Sequence, residues 1–187
     1  MSAALRRVVL LVFFAASCGS LGAKDLNFPD RTESFAGVPF GATIDEAQKA
    51  WQLEAVEGVS APGDPVKVYL REDDPLVMGA LMVRDVVYYF LDGKFYAVGF
   101  ATPDSRQTTI LREALAEGYG APPFEGDGGN SLVWVGEAVS AHLQISPSGE
   151  ARAVLFSNEL QPRYEQCLRE AATKTAAGIS SAGMAAE

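Results

Sequence analysis

The chain predicts an α+β fold: an antiparallel sheet with helices on one side, in the order helix, three strands, helix, three strands, helix. Strands that come in runs between single helices argue for antiparallel pairing rather than a doubly wound parallel sheet. Asp92-Gly93 lies between Tyr88-Tyr89-Phe90-Leu91 and Phe95-Tyr96-Ala97-Val98-Gly99-Phe100. Such a dipeptide between strand-forming runs signals a two-residue hairpin, because both central positions need positive φ. The whole order reads as two αβββ units in tandem, αβββαβββα, with faint side-chain identity between the halves.

The chain divides into residues 1–23, a lead-in over 24–37, a single α+β domain over 38–171 and a tail over 172–187. In the first segment Arg6-Arg7 precede the apolar run Val8 to Phe14, followed by Ala15-Ala16-Ser17-Cys18-Gly19-Ser20. A positive patch, a short apolar core and a small-residue exit form a secretory signal peptide. The core falls far below the roughly 20 residues that span a bilayer. Two ends are open to this segment. Cys18 after small residues resembles the lipobox of bacterial lipoproteins, although Ala15 stands where that box usually has a large aliphatic residue. Acylation there would hold the protein at a membrane surface without a spanning helix. Ordinary cleavage after Ala23 is the rival and leaves a soluble periplasmic protein.

The lead-in, polar with scattered aromatics, is expected to be extended. Thr43 and Glu46 have capping-box spacing, and Ile44, Ala47 and Trp51 follow on one helical face. Gly58, Pro62, Gly63 and Pro65 end that helix. Val66 to Leu70 alternates as a strand, Glu72-Asp73-Asp74-Pro75 turns, and residues 79–91 form a long strand rich in β-branched and aromatic residues. After the hairpin, Thr102-Pro103 is expected to open the second helix, with Thr102 as N-cap. Its stripe is Ile110, Leu111, Ala114, Leu115 and Tyr119, and Gly118, Gly120 and Pro122-Pro123 stop it. Strands follow over 131–135, 139–145 and 152–156. Asn158 is expected to cap a last helix with Leu160, Tyr164, Cys167, Leu168 and Ala171 on one face. From Ala172 the Ala, Gly, Ser and Thr residues have little to bury, and disorder is expected.

Charge narrows the partners. Removing residues 1–23 leaves 13 of the 15 basic side chains against all 24 acidic ones, a balance of −11. Nucleic acid and anionic headgroups are therefore poor partners. A second envelope protein or a peptide is the expected one, and the membrane enters only through a Cys18 anchor. Without residues 1–23 the one remaining cysteine is Cys167, so no disulfide framework exists. Cys167 on an apolar stripe reads as a buried small hydrophobe.

Catalytic groups are few. His142, the one histidine, shares the polar face of its strand with Ser140 and Gln144 and is expected in solvent without a hydroxyl or carboxylate partner. No second histidine or cysteine pair completes a zinc site, and no Gly-x-Ser-x-Gly elbow, P-loop or dinucleotide fingerprint occurs. Glu125-Gly126-Asp127-Gly128-Gly129-Asn130 has the oxygens and glycines of a calcium loop but lacks its closing glutamate, and reads as a flexible loop. Glu72-Asp73-Asp74 reads as solvated. No cofactor and no metal is called for. The aromatics Tyr88, Tyr89, Phe90, Phe95, Tyr96 and Phe100 are denser than one buried face needs. Either the strand is covered on both sides, partly by the lead-in and the last helix, or Tyr88, Tyr89 and Tyr96 form an exposed recognition surface. That tyrosine surface is the candidate binding site.

The run Phe35-Ala36-Gly37-Val38-Pro39-Phe40-Gly41 with Thr43 resembles the opening of a family of small exported bacterial proteins and lipoproteins. Tyr88-Tyr89-Phe90 to Phe95, Tyr119-Gly120-Ala121-Pro122 and Leu132-Val133-Trp134 match its later motifs, so the likeness spans residues 35–157. More distantly, the helix-opening glycines and the Asp-Gly-Lys hairpin are similar to small outer-membrane-assembly lipoproteins with a helix–helix–sheet fold. The first resemblance implies a fold and an address, with no assigned activity. The expectation is an exported, non-catalytic binding or envelope-associated protein, with a periplasmic hydrolase or a protein inhibitor or adaptor as alternatives.

Overall fold

A computed structural model describes residues 33–57, 64–72, 74, 77–78, 80–122 and 124–183. The segment expected to be a signal peptide, with Cys18, the lead-in before Glu33 and the last four residues lie outside them. The elements are β1 (Ser34–Phe35), β2 (Val38–Pro39), α1 (Ile44–Ala50), β3 (Leu53–Ala55), β4 (Val66–Arg71), β5 (Val77–Met78), β6 (Leu81–Met82), β7 (Arg84–Leu91) and β8 (Lys94–Ala101). Then come α2 (Ser105–Tyr119), β9 (Phe124–Gly126), a 3₁₀ turn (Asp127–Gly129), β10 (Ser131–Trp134), β11 (Val139–Ile145), β12 (Ala151–Ser157) and α3 (Gln161–Gly183). The α+β class with an antiparallel sheet is as expected.

One eight-stranded sheet runs β3-β4-β7-β8-β12-β11-β10-β9, and every pair in it is antiparallel. Its symmetry corrects the αβββ expectation. Each half is a helix followed by a four-stranded meander, and the halves meet where β8 pairs with β12. The additional strands are the short edges β3 and β9, where Leu53-Glu54-Ala55 and Phe124-Glu125-Gly126 give little periodicity to read. The stretch read as a loop or calcium loop is thus an edge strand followed by a 3₁₀ turn.

Local chemistry explains most boundaries. Thr43 Oγ1 accepts from the Glu46 N–H at 3.3 Å, and Glu46 returns a bond to the Thr43 N–H at 2.8 Å, completing the box. These bonds hold the Glu46 carboxyl below its usual range. In the β7–β8 turn Asp92 and Gly93 have φ of 48° and 79°, as the hairpin signal requires. The expected strand over 79–91 is broken: β6 pairs with β5 in a small hairpin, and a bulge beside Asp85 (φ 54°) starts β7. The end of the lead-in is not simply extended: its Ser34–Phe35 pairs with Val38–Pro39 at the start of the domain in the β1–β2 hairpin.

Four helix ends differ from expectation. Helix α1 stops at Ala50 with Trp51 as its C-cap, and the chain enters β3 before the glycines and prolines expected to end the helix. The α2 N-cap is Asp104, whose carboxylate accepts from the Gln107 N–H at 2.8 Å. Thr102 is spent elsewhere: its buried hydroxyl accepts from the Ala151 N–H at 2.8 Å and ties β8 to β12. Asn158 does not cap α3, because its side chain bonds the Gly136 and Glu137 carbonyls and accepts from Ser140. The expected tail disorder from Ala172 is corrected as well, since α3 continues to Gly183. Alanine's high helix propensity carries the backbone on after the buried stripe ends.

Helices cover both faces of the sheet, which overturns the one-sided expectation. On one face α1 and α2 seat Ala47, Trp51, Leu111, Leu115 and Tyr119 against Tyr88, Phe90, Phe95, Phe100, Leu132 and Trp134. On the other, α3 seats Tyr164 and Cys167 against Val68, Val87, Tyr89, Leu91, Tyr96 and Ala97. The physical reason is strand alternation: Val86–Leu91 of β7 and Phe95–Ala101 of β8 are apolar at every position, so each face needs its own cover. Cys167 is buried there as expected, and burial pushes its thiol up.

Candidate functional site

The tyrosine site is corrected first. Tyr88, Tyr89 and Tyr96 are only 0%, 6% and 6% exposed. They also lie on opposite faces. Tyr88 packs under Trp51 and Phe35 with ring centroids at 4.8 and 6.1 Å, and its hydroxyl donates to Asp74 Oδ1 at 2.5 Å. Tyr96 stacks on Tyr164 at 4.9 Å and donates its hydroxyl to Gln161. Tyr89 lies beneath α3 in the same cluster. These rings are core, and an adaptor working through a tyrosine surface is removed with them. The reading in which the strand is covered on both sides holds.

The surface left open lies in the C-terminal half of the sheet, on the face that carries α3. Cross-strand register assembles it in rows. One row is Ser131–Gln144–Arg152–Ala101–Arg84, and the next is Val133–His142–Val154–Gly99–Val87. Helix α3 reaches only part of these rows. Val154 and Phe156 pack at the margin of its cluster, while Val133 belongs to neither apolar cluster and Gln144 and Arg152 lie in the adjoining row. All three are half-buried. At the sheet edge Phe124, in register with Val133, is 40% exposed.

His142 is not simply in solvent. It is half-buried, and its Nε2 lies 3.0 Å from the Ser131 hydroxyl, a diagonal neighbour on β10. Burial pushes the imidazole below its ordinary range, so it is neutral at pH 7. The expectation that no hydroxyl partners it is therefore corrected, because β10 pairing places Ser131 beside it. Among the described residues no carboxylate bonds the imidazole, so the third member that orients a catalytic base is missing from the pair. Among the described residues no cluster of three His, Cys, Asp or Glu side chains could hold a metal ion.

Arg152 and Arg84 are the residues that sequence reasoning missed. Alternation along Ala151–Ser157 places Arg152 on one face of its strand, but only the β8–β12 junction puts it beside Ala101 and Arg84. Arg84 bonds Glu150 at 3.0 Å and lies 3.6 Å from Asp85. Arg152 makes no hydrogen bond or ion pair among the described residues. A separate hollow of about 300 Å³ beside α2 is lined by Thr109, Arg112, Glu113, Ala116, Pro122 and Trp134. It brings no nucleophile–base pair together. Comparison with known protein families, curated proteins and solved structures finds no match to this chain.

Proposed function

We propose that the protein is exported and acts in the cell envelope as a non-catalytic binding protein. Its partner docks on the part of the sheet that α3 leaves open. One observation carries the docking site: Val133 stands half-exposed outside both apolar clusters, on a pleated surface that it shares with the half-exposed Gln144 and Arg152. A sheet face with apolar and polar side chains in register presents a flat recognition surface. The address is supported by the amino-terminal charge and hydropathy pattern, and the acidic balance favours protein over phosphate-rich partners.

Two measurements test this. Intact-mass analysis of the cellular protein is expected to find diacylglycerol on Cys18 or a new terminus near Lys24; retention of residues 1–23 overturns export. A photocrosslinking side chain at Val133 is expected to trap a partner of defined mass, while one at Glu113 on α2 traps none. Equal products from both positions, or none from Val133, overturn the docking surface. The hydrolase reading rests on the Ser131–His142 contact alone. Fluorophosphonate labelling that vanishes in Ser131→Ala would put it in place of the binding reading.

A further inference from the structure

His142 is the one histidine of the chain, and so the one side chain whose ordinary titration falls between about pH 5 and 8. It stands in the open half of the sheet face. Register sets it between Val133 of β10 and Val154 of β12, and all three are half-buried.

The groups that face the imidazole are neutral. Strand β10 brings Ser131 and Val133, β12 brings Val154, and Ser140 and Gln144 share its face of β11. Arg152, opposite Gln144, is the charged side chain of the adjoining row, and beyond it comes Arg84 with Glu150 and Asp85. Glu125 of β9 is in register with Leu132 and lies on the far face. Helix α3 seats its buried residues on the other half of the sheet. Burial is the single cause that lowers the imidazole, with no contribution from a neighbouring charge.

The Ser131 contact gives the ring a second, directional effect. At 3.0 Å, Nε2 of a neutral imidazole can accept the Ser131 O–H proton. A protonated ring can only donate, so the Ser131 hydroxyl must then turn its own proton away. One proton changes both the charge on the row and the sense of a hydrogen bond at its surface.

We infer that docking on this face is governed by His142: the partner is held while the imidazole is neutral and released when it is charged. This rests on reading the open face as the docking surface. A partner laid over Val133 and Val154 takes water from the ring between them. A neutral imidazole tolerates that loss, whereas a cation with no carboxylate facing it does not. By linkage, docking weakens the ring's hold on its proton, and the proton weakens docking by the same factor. Each further pH unit by which docking depresses the ring is about a tenfold loss of affinity in acid.

Two measurements test this together. In the free protein, the His142 ring signals and the Ser131 amide are followed by NMR against pH. The ring is expected to titrate below its ordinary 6.5, with Ser131 moving in step. Titration at or above 6.5 with Ser131 unmoved puts the ring in open solvent and overturns the inference. Next, p-benzoylphenylalanine at Val133 is irradiated in cell extract at about pH 7.5 and at the acid pH where NMR shows the ring charged. The yield of crosslinked partner is expected to fall about tenfold in acid. His142→Gln, neutral throughout, should keep the higher yield at both, and His142→Lys, charged throughout, the lower. A yield that falls equally in His142→Gln, or that His142→Lys leaves whole near neutral pH, overturns the switch and leaves the docking surface standing. No product at either pH removes the docking surface and the switch with it.

Discussion

Raising the pH to about 11 should unfold this protein through its tyrosines. Burial pushes Tyr89, Tyr119 and Tyr164 up to about 12, and raises Tyr88 and Tyr96 further, with the Asp74 carboxylate adding to the effect at Tyr88. The unfolded chain releases these protons near the ordinary value of 10.0, whereas the folded chain keeps them. Stability owed to the neutral phenols is therefore whole below about pH 10 and is lost as pH rises toward the folded values. At about pH 11 a phenol held near 12 favours unfolding by about 1.4 kcal/mol. Five such groups total about 7 kcal/mol, comparable with the whole stability of an ordinary domain. Phenolate absorbance and near-ultraviolet circular dichroism, followed together, should change in one cooperative step. Tyr89→Phe should gain about 1.4 kcal/mol over the parent at about pH 11 relative to neutral pH. Gradual phenolate formation near pH 10 with an unchanged dichroism spectrum would mean that solvent reaches these rings. The two-sided cover by α1 and α3 would then be wrong.

Two further outcomes follow from individual contacts. Gly149 turns between β11 and β12 with φ of +86°, and a Cβ there would stand 2.7 Å from that of Ser105. Gly149→Ala should cost about 2–4 kcal/mol in chemical denaturation, from positive φ and overpacking together, and Ser105→Gly should recover part of it; a neutral Gly149→Ala would refute the close approach. His142, as the one histidine, gives a clean acid-side signal. Its pKa is depressed by burial, so its contribution is whole above the ordinary imidazole range and falls as the unfolded chain takes up the proton below about 6.5. It then levels once the folded imidazole is protonated too. Stability measured from about pH 7 to 5 should lose this slope in His142→Gln, and an identical slope in the variant would place His142 in open solvent.

Much of the fold was legible because its cues are local. The Thr43–Glu46 box, the Asp92-Gly93 turn and the alternation of β11 each rest on residues close in sequence, and each stands where the pattern put it. Legibility failed where a side chain had a choice of distant partners. Thr102 has a cap's chemistry, but Ala151, 49 residues away, claims its hydroxyl. Asn158 is likewise taken by the Gly136 and Glu137 carbonyls. The aromatic density of β7 and β8 correctly signalled a strand with two apolar faces, but no local rule says whether helix or solvent meets the second face. The docking surface was illegible for the same reason. Arg84, Ala101 and Arg152 become neighbours only through a junction between the two halves of the sheet.

The amino-acid order alone determined the class, the antiparallel meanders, the doubling of one unit and the acidic, cysteine-poor character, since periodicity, turn chemistry and charge act over a few residues. Tertiary structure alone decided that α3 folds back over Tyr89 and Tyr96 and leaves Val133 outside its cluster. Which half of a sheet face is sealed depends on where a helix docks, and that is set by competition among burial sites far apart in the chain.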